Sequence, residues 1–302
     1  MNPLVSIVLC SYNGAKYIEE QIESLLNQTY TPIGIIVCDD HSTDDTVSIL
    51  ERLANKDNRI SIYKNEQNLG LNKNFEKACQ LAKGDFISIC DQDDIWRNNK
   101  IEKLISLFTN DEIILCHSQS TRFTDKIPDH IKTYNKRNLL VGNDARQLFY
   151  FNTIAGHNIM FRKKLLQFAL PFPSNVFYDW WICMVACCYG NIAATNEVLS
   201  FHRSHDNNVT LGKKDEKKQT RSKAIERTEA AKTFLKIDGM KKESNVFGKK
   251  LLSKLLDLEK NKFSFKLFLF LLTNANTVFF FKKGNFPFLS HLKISYRLSF
   301  AK

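Results

Sequence analysis

The chain has 302 residues, 43% hydrophobic and 25% charged, the proportions of a globular protein with room for one sizeable α/β domain and an appendage. Its net charge of +11 is unevenly divided: residues 1–210 carry 21 Lys/Arg against 24 Asp/Glu, whereas residues 211–302 carry 22 against 8. The longest apolar stretch, near Phe263–Phe281, is interrupted by Lys266, Asn274 and Asn276, which excludes a continuous transmembrane span there.

Val5–Cys10 is a short apolar run rich in β-branched residues and predicts a strand buried on both faces. The polar turn Ser11–Gly14 leads into a helix over Tyr17–Asn27, where Ile18, Ile22, Leu25 and Leu26 share one face. Strands follow at Gly34–Cys38, Ile60–Tyr63 and Phe86–Cys90, separated by helices at Asp44–Ala54 and Asn72–Ala82. Strands and helices alternating in this way predict a mostly parallel, Rossmann-like α/β sheet. Ile113–His117 reads as a further strand, Thr121–Asn138 as a loop, Leu148–Phe161 as a return to apolar character, and Phe177–Tyr189 as an aromatic segment. Residues 211–262 read as charged, Lys-rich helices, giving a basic helical C-terminal extension (residues 211–302) behind a first domain of residues 1–210.

Eight cysteines raise the question of disulfides or zinc. Cys10, Cys38, Cys90 and Cys116 fall in strand-like apolar runs, Cys187–Cys188 sit in an apolar stretch, and no CxxC pair occurs. With no secretory leader ahead of the first strand, the cytoplasm is the expected location.

In open α/β sheets, ligands bind beyond the carboxyl ends of the strands. Here those ends carry Ser11-Tyr12-Asn13, Asp39-Asp40 and Asp91-Gln92-Asp93-Asp94. Three carboxylates crowded at one strand end repel one another, and a divalent cation among their oxygens removes that penalty. Helix capping explains one of them at most, Asp94 ahead of Ile95-Trp96. An acidic residue after the second strand suits contact with a nucleoside, while Ser42 or Asp44 can start the next helix. Asp179, beside Trp180 and Trp181, is the lone carboxylate between Asp144 and Glu197 and is a candidate general base in a setting that suits a sugar ring.

VSIVLCSYNGAKYIEEQIESLLNQTY, then CDDHSTDDT, NLG and AKGDFISICDQDDIW, together resemble the nucleotide-sugar half of the family 2 glycosyltransferases with the GT-A fold, over about residues 4–110. FYDWWICMVACCYGNI resembles that family's base-bearing segment, FHRSHDNNVT its RxHxxN stretch, and DQDDIW with DWW its bacterial rhamnosyltransferase-like branch. The resemblance implies an inverting, metal-dependent transfer of a sugar from a nucleotide-diphosphate donor, dTDP-rhamnose or a UDP-sugar, to a glycan acceptor hydroxyl in surface-polysaccharide synthesis. It implies Asp93 and Asp91 as ligands of Mn²⁺ or Mg²⁺, with His205 as a further metal or diphosphate contact. It implies donor contacts from Asp91, Asp40 and Lys73, with Cys10 and Tyr12 walling the base, and Asp179 as general base. Cys10-Ser11 departs from the pair usual at that position, and the resemblance gives no role to His157. A nucleotidyltransferase would share the nucleotide fold and acidic site but would open with a Gly-rich basic loop, absent here. A non-catalytic nucleotide-sugar-binding protein at the membrane is the non-enzymatic alternative.

The basic tail contains no recognised nucleic-acid module. Its Phe, Leu and Lys/Arg mixture, with no acid after Glu259, has the composition of a segment resting on an anionic membrane surface, which suits a lipid-linked glycan acceptor.

Overall fold

The structure, a computed structural model, describes residues 2–124, 126–128, 138–205, 219–282 and 287–300. Strands β1 (Val5–Ser11), β2 (Ile33–Asp39), β3 (Ile60–Lys64) and β4 (Phe86–Cys90) lie parallel, joined by helices α1 (Ile18–Leu26), α2 (Thr46–Ala54) and α3 (Leu71–Leu81). Each strand sends alternate residues to opposite layers. Ile7 and Leu9 of β1 pack with Ile22, Leu25 and Leu50 on the α1/α2 side, and Val8 joins Phe75 and Ala78 of α3 on the other. Covering both faces is what the unbroken apolar runs require.

The remaining strands are β5 (Ile95–Trp96), β6 (Ile113–Phe123), β7 (Ile159–Arg162) and β8 (Asn191–Arg203), and the sheet order is β3-β2-β1-β4-β7-β6-β8-β5. β7 runs antiparallel to β4 and β6, and β8 lies parallel to β6 and antiparallel to β5. Between them come α4 (Lys100–Ile105), the short α5 (Leu166–Ala169) and α6 (Tyr178–Tyr189).

Two local expectations are corrected. Residues 121–123 are not loop: β6 continues to Phe123, which pairs with Arg203, because the long partner β8 supplies hydrogen bonds that polar residues gain by extending. Residue 125 and residues 129–137 of the expected loop lie outside the described residues, as does the RxHxxN stretch beyond His205. Ile95–Trp96 does not start a helix capped by Asp94. It forms β5 on the open edge of β8, with Ile95 opposite Phe201, and α4 begins only at Lys100.

Beyond the sheet lie α7 (Gln219–Phe234), α8 (Lys242–Lys260), α9 (Phe265–Thr273), α10 (Ala275–Val278) and α11 (Pro287–Leu298). Leu251, Leu255, Leu267, Leu271 and Ile294 from these helices, with Phe279 just after α10, join Phe149, Tyr150 and the inner face of α6 in one continuous core. The basic helices are therefore packed onto the α/β part. Among the described residues, no helix is long and apolar enough to cross a membrane. Six of the eight cysteines are buried, and each is a free thiol.

Candidate active site

The carboxyl ends of β1, β2 and β4 open onto one edge, where short loops tie several of the side chains together. Asp39 accepts hydrogen bonds from Ser11 Oγ (2.7 Å), Ser42 Oγ (2.6 Å) and Ser42 N (2.8 Å), tying the loops after β1 and β2 together. Asn13 and His41 adopt left-handed backbone (φ 48° and 67°) at the two turns. Asp44 serves α2 as expected, accepting from Thr46 N at 3.0 Å. Gln92, which the sequence reading passed over, pairs with the backbone of Tyr12 through both ends of its amide (2.9 and 3.1 Å). A Cβ on Gly14 would lie 2.3 Å from Gln92 Oε1, so the latch needs glycine there.

Asp40 is buried and accepts from Leu69 N (2.8 Å), Gly70 N (2.9 Å) and Asn65 Nδ2 (2.8 Å). The carboxylate thus shapes the Asn68-Leu69-Gly70 turn that precedes α3. Lys73, on α3, is half exposed and paired with Glu76 at 3.0 Å. Tyr12 is exposed at the rim, and Cys10 is half buried below it. Burial pushes the Cys10 thiol well up, and Asp40 and Asp91 both reinforce this, placing Cys10 within the field of both carboxylates.

After β4 the three carboxylates diverge. Asp93 Oδ2 meets His205 Nε2 at 2.7 Å. Burial, then Asp91 and Asp94, raise the Asp93 carboxyl, and His205 pulls it partly back. Asp94 is fully buried, with Oδ1 accepting from His202 Nδ1 (3.0 Å) and Arg203 N (3.2 Å). Burial alone would raise Asp94, but His157, His202 and the Arg203 N–H hold it below the usual carboxylate range. Its Oδ2 makes no hydrogen bond with the described residues and has His157 Nδ1 at 3.4 Å. His157, buried on the turn Gly156–Asn158, reaches Asp91 Oδ2 with Nδ1 (3.1 Å) and Ser120 Oγ with Nε2 (3.0 Å). The ligand atoms of Asp91, Asp94, His157 and His202 all lie within 4.8 Å of one another.

Lys100 lies beneath this cluster, fully buried. Its Nζ donates to His157 O (2.5 Å) and Ser200 Oγ (2.7 Å) and stands 3.5 Å from the Trp96 ring centre. Burial brings its pKa down to about 7, against the opposing pull of Cys90, Asp94 and Asp91.

Asp179 occupies the first turn of α6 and takes the Trp180 N–H on Oδ1 at 2.7 Å. Burial raises its carboxyl to about 6. The Trp180 N–H opposes this, the Asp91 charge adds to it, and the Asn152 side chain and Gly156 N–H hold it back. Asn72, next to Lys73, fixes the start of α6 by donating to Pro173 O (2.8 Å) and Val176 O (2.6 Å) and accepting from Tyr178 N (3.1 Å). A Cβ on Gly156 would lie 2.3 Å from Tyr178 Oη, so the turn carrying His157 must pass α6 as glycine.

The structure therefore pairs Asp93 with His205 and gathers Asp91, Asp94, His157 and His202 into one cluster beside them. Asp179 shares the field of Asp91, while Asp40 and Lys73 flank the turn leading into α3.

A parallel α/β half carrying an acidic strand end, continued by a mixed half that returns a half-buried carboxyl to it, is the GT-A glycosyltransferase architecture. The family model "Glycosyl transferase family 2" matches residues 6–168, and the chain belongs to that family. It is 32% identical over 73% of its length to an uncharacterised glycosyltransferase of Haemophilus influenzae, covering 72% of it. It is also 32% identical to the Escherichia coli UDP-Glc:alpha-D-GlcNAc-diphosphoundecaprenol beta-1,3-glucosyltransferase WfaP, over 70% of this chain and 81% of that one. Among solved structures, S. aureus TarS 1–349 in complex with UDP-GlcNAc superposes with a TM-score of 0.63 at 18% identity, covering 98% of this chain and 81% of that one. The mannosyltransferase PcManGT of Pyrobaculum calidifontis, in complex with GDP-Man and Mn²⁺, gives 0.61 at 15%, covering 99% and 81%. At these identities the two structures speak for the fold alone.

Proposed function

We propose that this glycosyltransferase is an inverting, divalent-cation-dependent enzyme that moves a sugar from a nucleoside-diphosphate donor to a hydroxyl of a lipid-linked glycan in surface-polysaccharide synthesis. The observation that carries the reading is the pairing of roles at one edge: a crowded acidic cluster with imidazoles beside it, and a separate half-buried carboxyl at Asp179 raised to about 6. A UDP-sugar donor is favoured by the names of two E. coli relatives, both UDP-Glc transferases to a GlcNAc-diphosphoundecaprenol. The dTDP-rhamnose alternative rests on the motifs DQDDIW and DWW.

The donor set suits Mn²⁺ or Mg²⁺. Burial, reinforced by the charges of Asp91 and Asp94, raises the Asp93 carboxyl, and the buried Asp94 Oδ2 lacks a hydrogen bond with the described residues, so a cation would relieve the crowding at Asp93. Asp93, Asp91 and His205 would hold the cation, which supplies Lewis-acid stabilisation of the departing diphosphate. Asp91 and Asp40 would bound the nucleoside, with Cys10 and Tyr12 as its wall and Lys73 at the donor's edge. Asp179 would take the proton from the acceptor hydroxyl as its oxygen attacks the anomeric carbon. One displacement needs one base and inverts configuration. Residues 1–210 would form the transferase domain and 211–302 the extension packed on it, working at the cytoplasmic face of the cell membrane.

The test is a thermal-shift screen of UDP-glucose, UDP-GlcNAc and dTDP-rhamnose with and without Mn²⁺, followed by a transfer assay on a GlcNAc-diphospholipid with the donor that stabilises. A ligand bound by the native state alone raises the melting temperature by mass action. No Mn²⁺-dependent stabilisation by any of these donors would count against the reading.

A further inference from the structure

We propose that the outer face of α9 and α11 is a docking surface for an anionic lipid leaflet, and that it lies on the acceptor side of the enzyme. The two helices close against each other through the Phe263–Phe300 bridge and the Ser264 N to Ser299 O hydrogen bond (2.9 Å). Their inner residues Leu267, Leu271 and Ile294 belong to the core. Outward, Phe265, Leu269, Phe288, Leu289 and Tyr296 are between 44% and 65% exposed. These are not scattered side chains. Phe265 and Leu269 are one turn apart on α9, and Leu289, Lys293 and Tyr296 share a stripe on α11. Ring contacts run on from Phe265 to Phe268 (5.9 Å), to Tyr296 (6.3 Å) and to Phe263 and Phe300 (5.8 and 5.0 Å). A contiguous exposed apolar patch with a polar border marks an interaction site.

The border identifies the partner. Lys262, Lys266, Lys293 and Arg297 are exposed around the aromatic patch, and from Lys260 onward the chain has eight Lys/Arg and no Asp/Glu. A second copy would set this basic face against an identical one, an arrangement like charges oppose. A nucleic acid offers phosphate but no hydrocarbon for Leu269 and Leu289. A leaflet containing acidic lipid offers both headgroup charge and an apolar layer at the depth such side chains reach.

The patch is also connected to the chemistry. Tyr150 Oη donates to Leu298 O of α11 (3.4 Å), Phe151 packs on Phe279 and Phe281 (6.1 and 5.6 Å), and the Asn152 side chain hydrogen-bonds Asp179. Three consecutive residues thus link α11 and the segment after α10 to the candidate base. A leaflet held there would bring a lipid-borne acceptor in from the Asp179 side; this part of the inference rests on the proposed function.

Flotation of the full chain with vesicles tests the surface. The wild type is expected to float with phosphatidylcholine vesicles containing about one-third phosphatidylglycerol, to stay behind with phosphatidylcholine alone, and to be released in part by salt raised to about 0.5 M. Reversing Lys262, Lys266 and Lys293 to Glu is expected to weaken partitioning at least about 30-fold. Phe265→Ser with Leu269→Ser is expected to leave a weaker, wholly salt-sensitive remainder. All five positions are exposed, and unchanged thermal melting confirms folding of each variant. The proposal is overturned by a wild type that ignores anionic vesicles, by variants that float like the wild type, or by a dimer in light scattering that the Phe265/Leu269 variant splits into monomers. The Mn²⁺-dependent donor shift, measured in parallel, reports on the transferase reading alone, so either can fall without the other.

Discussion

The imidazole of His205 lies 2.7 Å from the Asp93 carboxylate, although 112 residues separate them in the chain. β8 delivers His205 there as it runs out beside β6, and Arg203 fastens the approach by donating from Nε to Asp93 O at 3.0 Å and pairing with Glu20. Asp93→Asn is expected to abolish the Mn²⁺-dependent part of donor stabilisation while leaving the melting temperature without ligand unchanged or higher, since it removes one of three crowded charges. His205→Ala should weaken the Mn²⁺ response without removing it. Calorimetric titration with Mn²⁺ and UDP decides this, and full Mn²⁺-responsive binding in Asp93→Asn would remove that residue from the cation site.

Asp179 separates binding from chemistry. Asp179→Asn should keep the donor shift and lose transfer by roughly 10²–10⁴-fold. In the wild type, transfer should fall about tenfold per pH unit below about 6, where the raised carboxyl binds its proton. The same shift carries a stability cost. The folded carboxyl holds its proton to a higher pH than the unfolded one, so folding loses stability as pH rises from about 4 to 6, and the loss persists above. Asp179→Asn should therefore stabilise the protein by about 1–2 kcal/mol at pH 7.5, less than the full shift implies because the carboxyl is partly exposed, and by nothing near pH 4. Equal denaturation midpoints at pH 7.5 would show that the carboxyl is not raised.

Gly156 is a steric prediction. With Tyr178 Oη 2.3 Å and Cζ 2.9 Å from the position of an added Cβ, Gly156→Ala must push the turn and α6 apart. A loss of about 1–3 kcal/mol is expected, together with reduced transfer, because the Gly156 N–H also reaches Asp179. Adding Tyr178→Phe should recover part of the stability. No recovery in urea unfolding of the double variant would mean that the clash lies elsewhere.

Lys100→Met leaves His157 O and Ser200 Oγ without their shared donor and withdraws the positive charge beneath Asp91 and Asp94. A net loss of about 1–3 kcal/mol is expected at pH 7 from the two acceptors left without a donor, offset in part because burial has already brought the Lys100 pKa down to about 7 and Met removes that cost. Lys103→Met, which removes only an exposed pairing with Glu197, should leave the urea midpoint where it is. If the two variants unfold alike, Lys100 is not holding the site.

The alternating strands and helices of the first hundred residues, and the acids ending β2 and β4, are local signals that any window of the sequence displays. What stayed hidden depends on closure through space. Ile95–Trp96 looks like the start of a helix until β8, a hundred residues later, offers its edge. His202 looks like one basic residue in a polar turn until it meets Asp94 at 3.0 Å, and His157 stands out in sequence without a role until Asp91 and Ser120 bracket its ring. Gln92 sits inside DQDDIW with no role assigned to it by the motif, and Asn72 and Lys100 carry no motif at all. Each is defined by a backbone partner from another segment, and a single sequence contains no record of that pairing.

The way β8 completes the sheet has a consequence for synthesis. On the ribosome, β1 to β4 emerge with α1 to α3 and can pair among themselves at once. β5, by contrast, must wait for β8, β6 gains β7 first and β8 only later, and the core shared by Phe149 and Tyr150 must wait for α8 to α11. The nascent protein therefore spends the interval between residues 123 and 191 with β6 lacking its β8 partner and apolar surface uncovered, the kind of exposure that recruits chaperones. Tension on stalled chains of increasing length should accordingly rise in two steps, one once β4 has cleared the exit tunnel and a second only when the last helices have emerged.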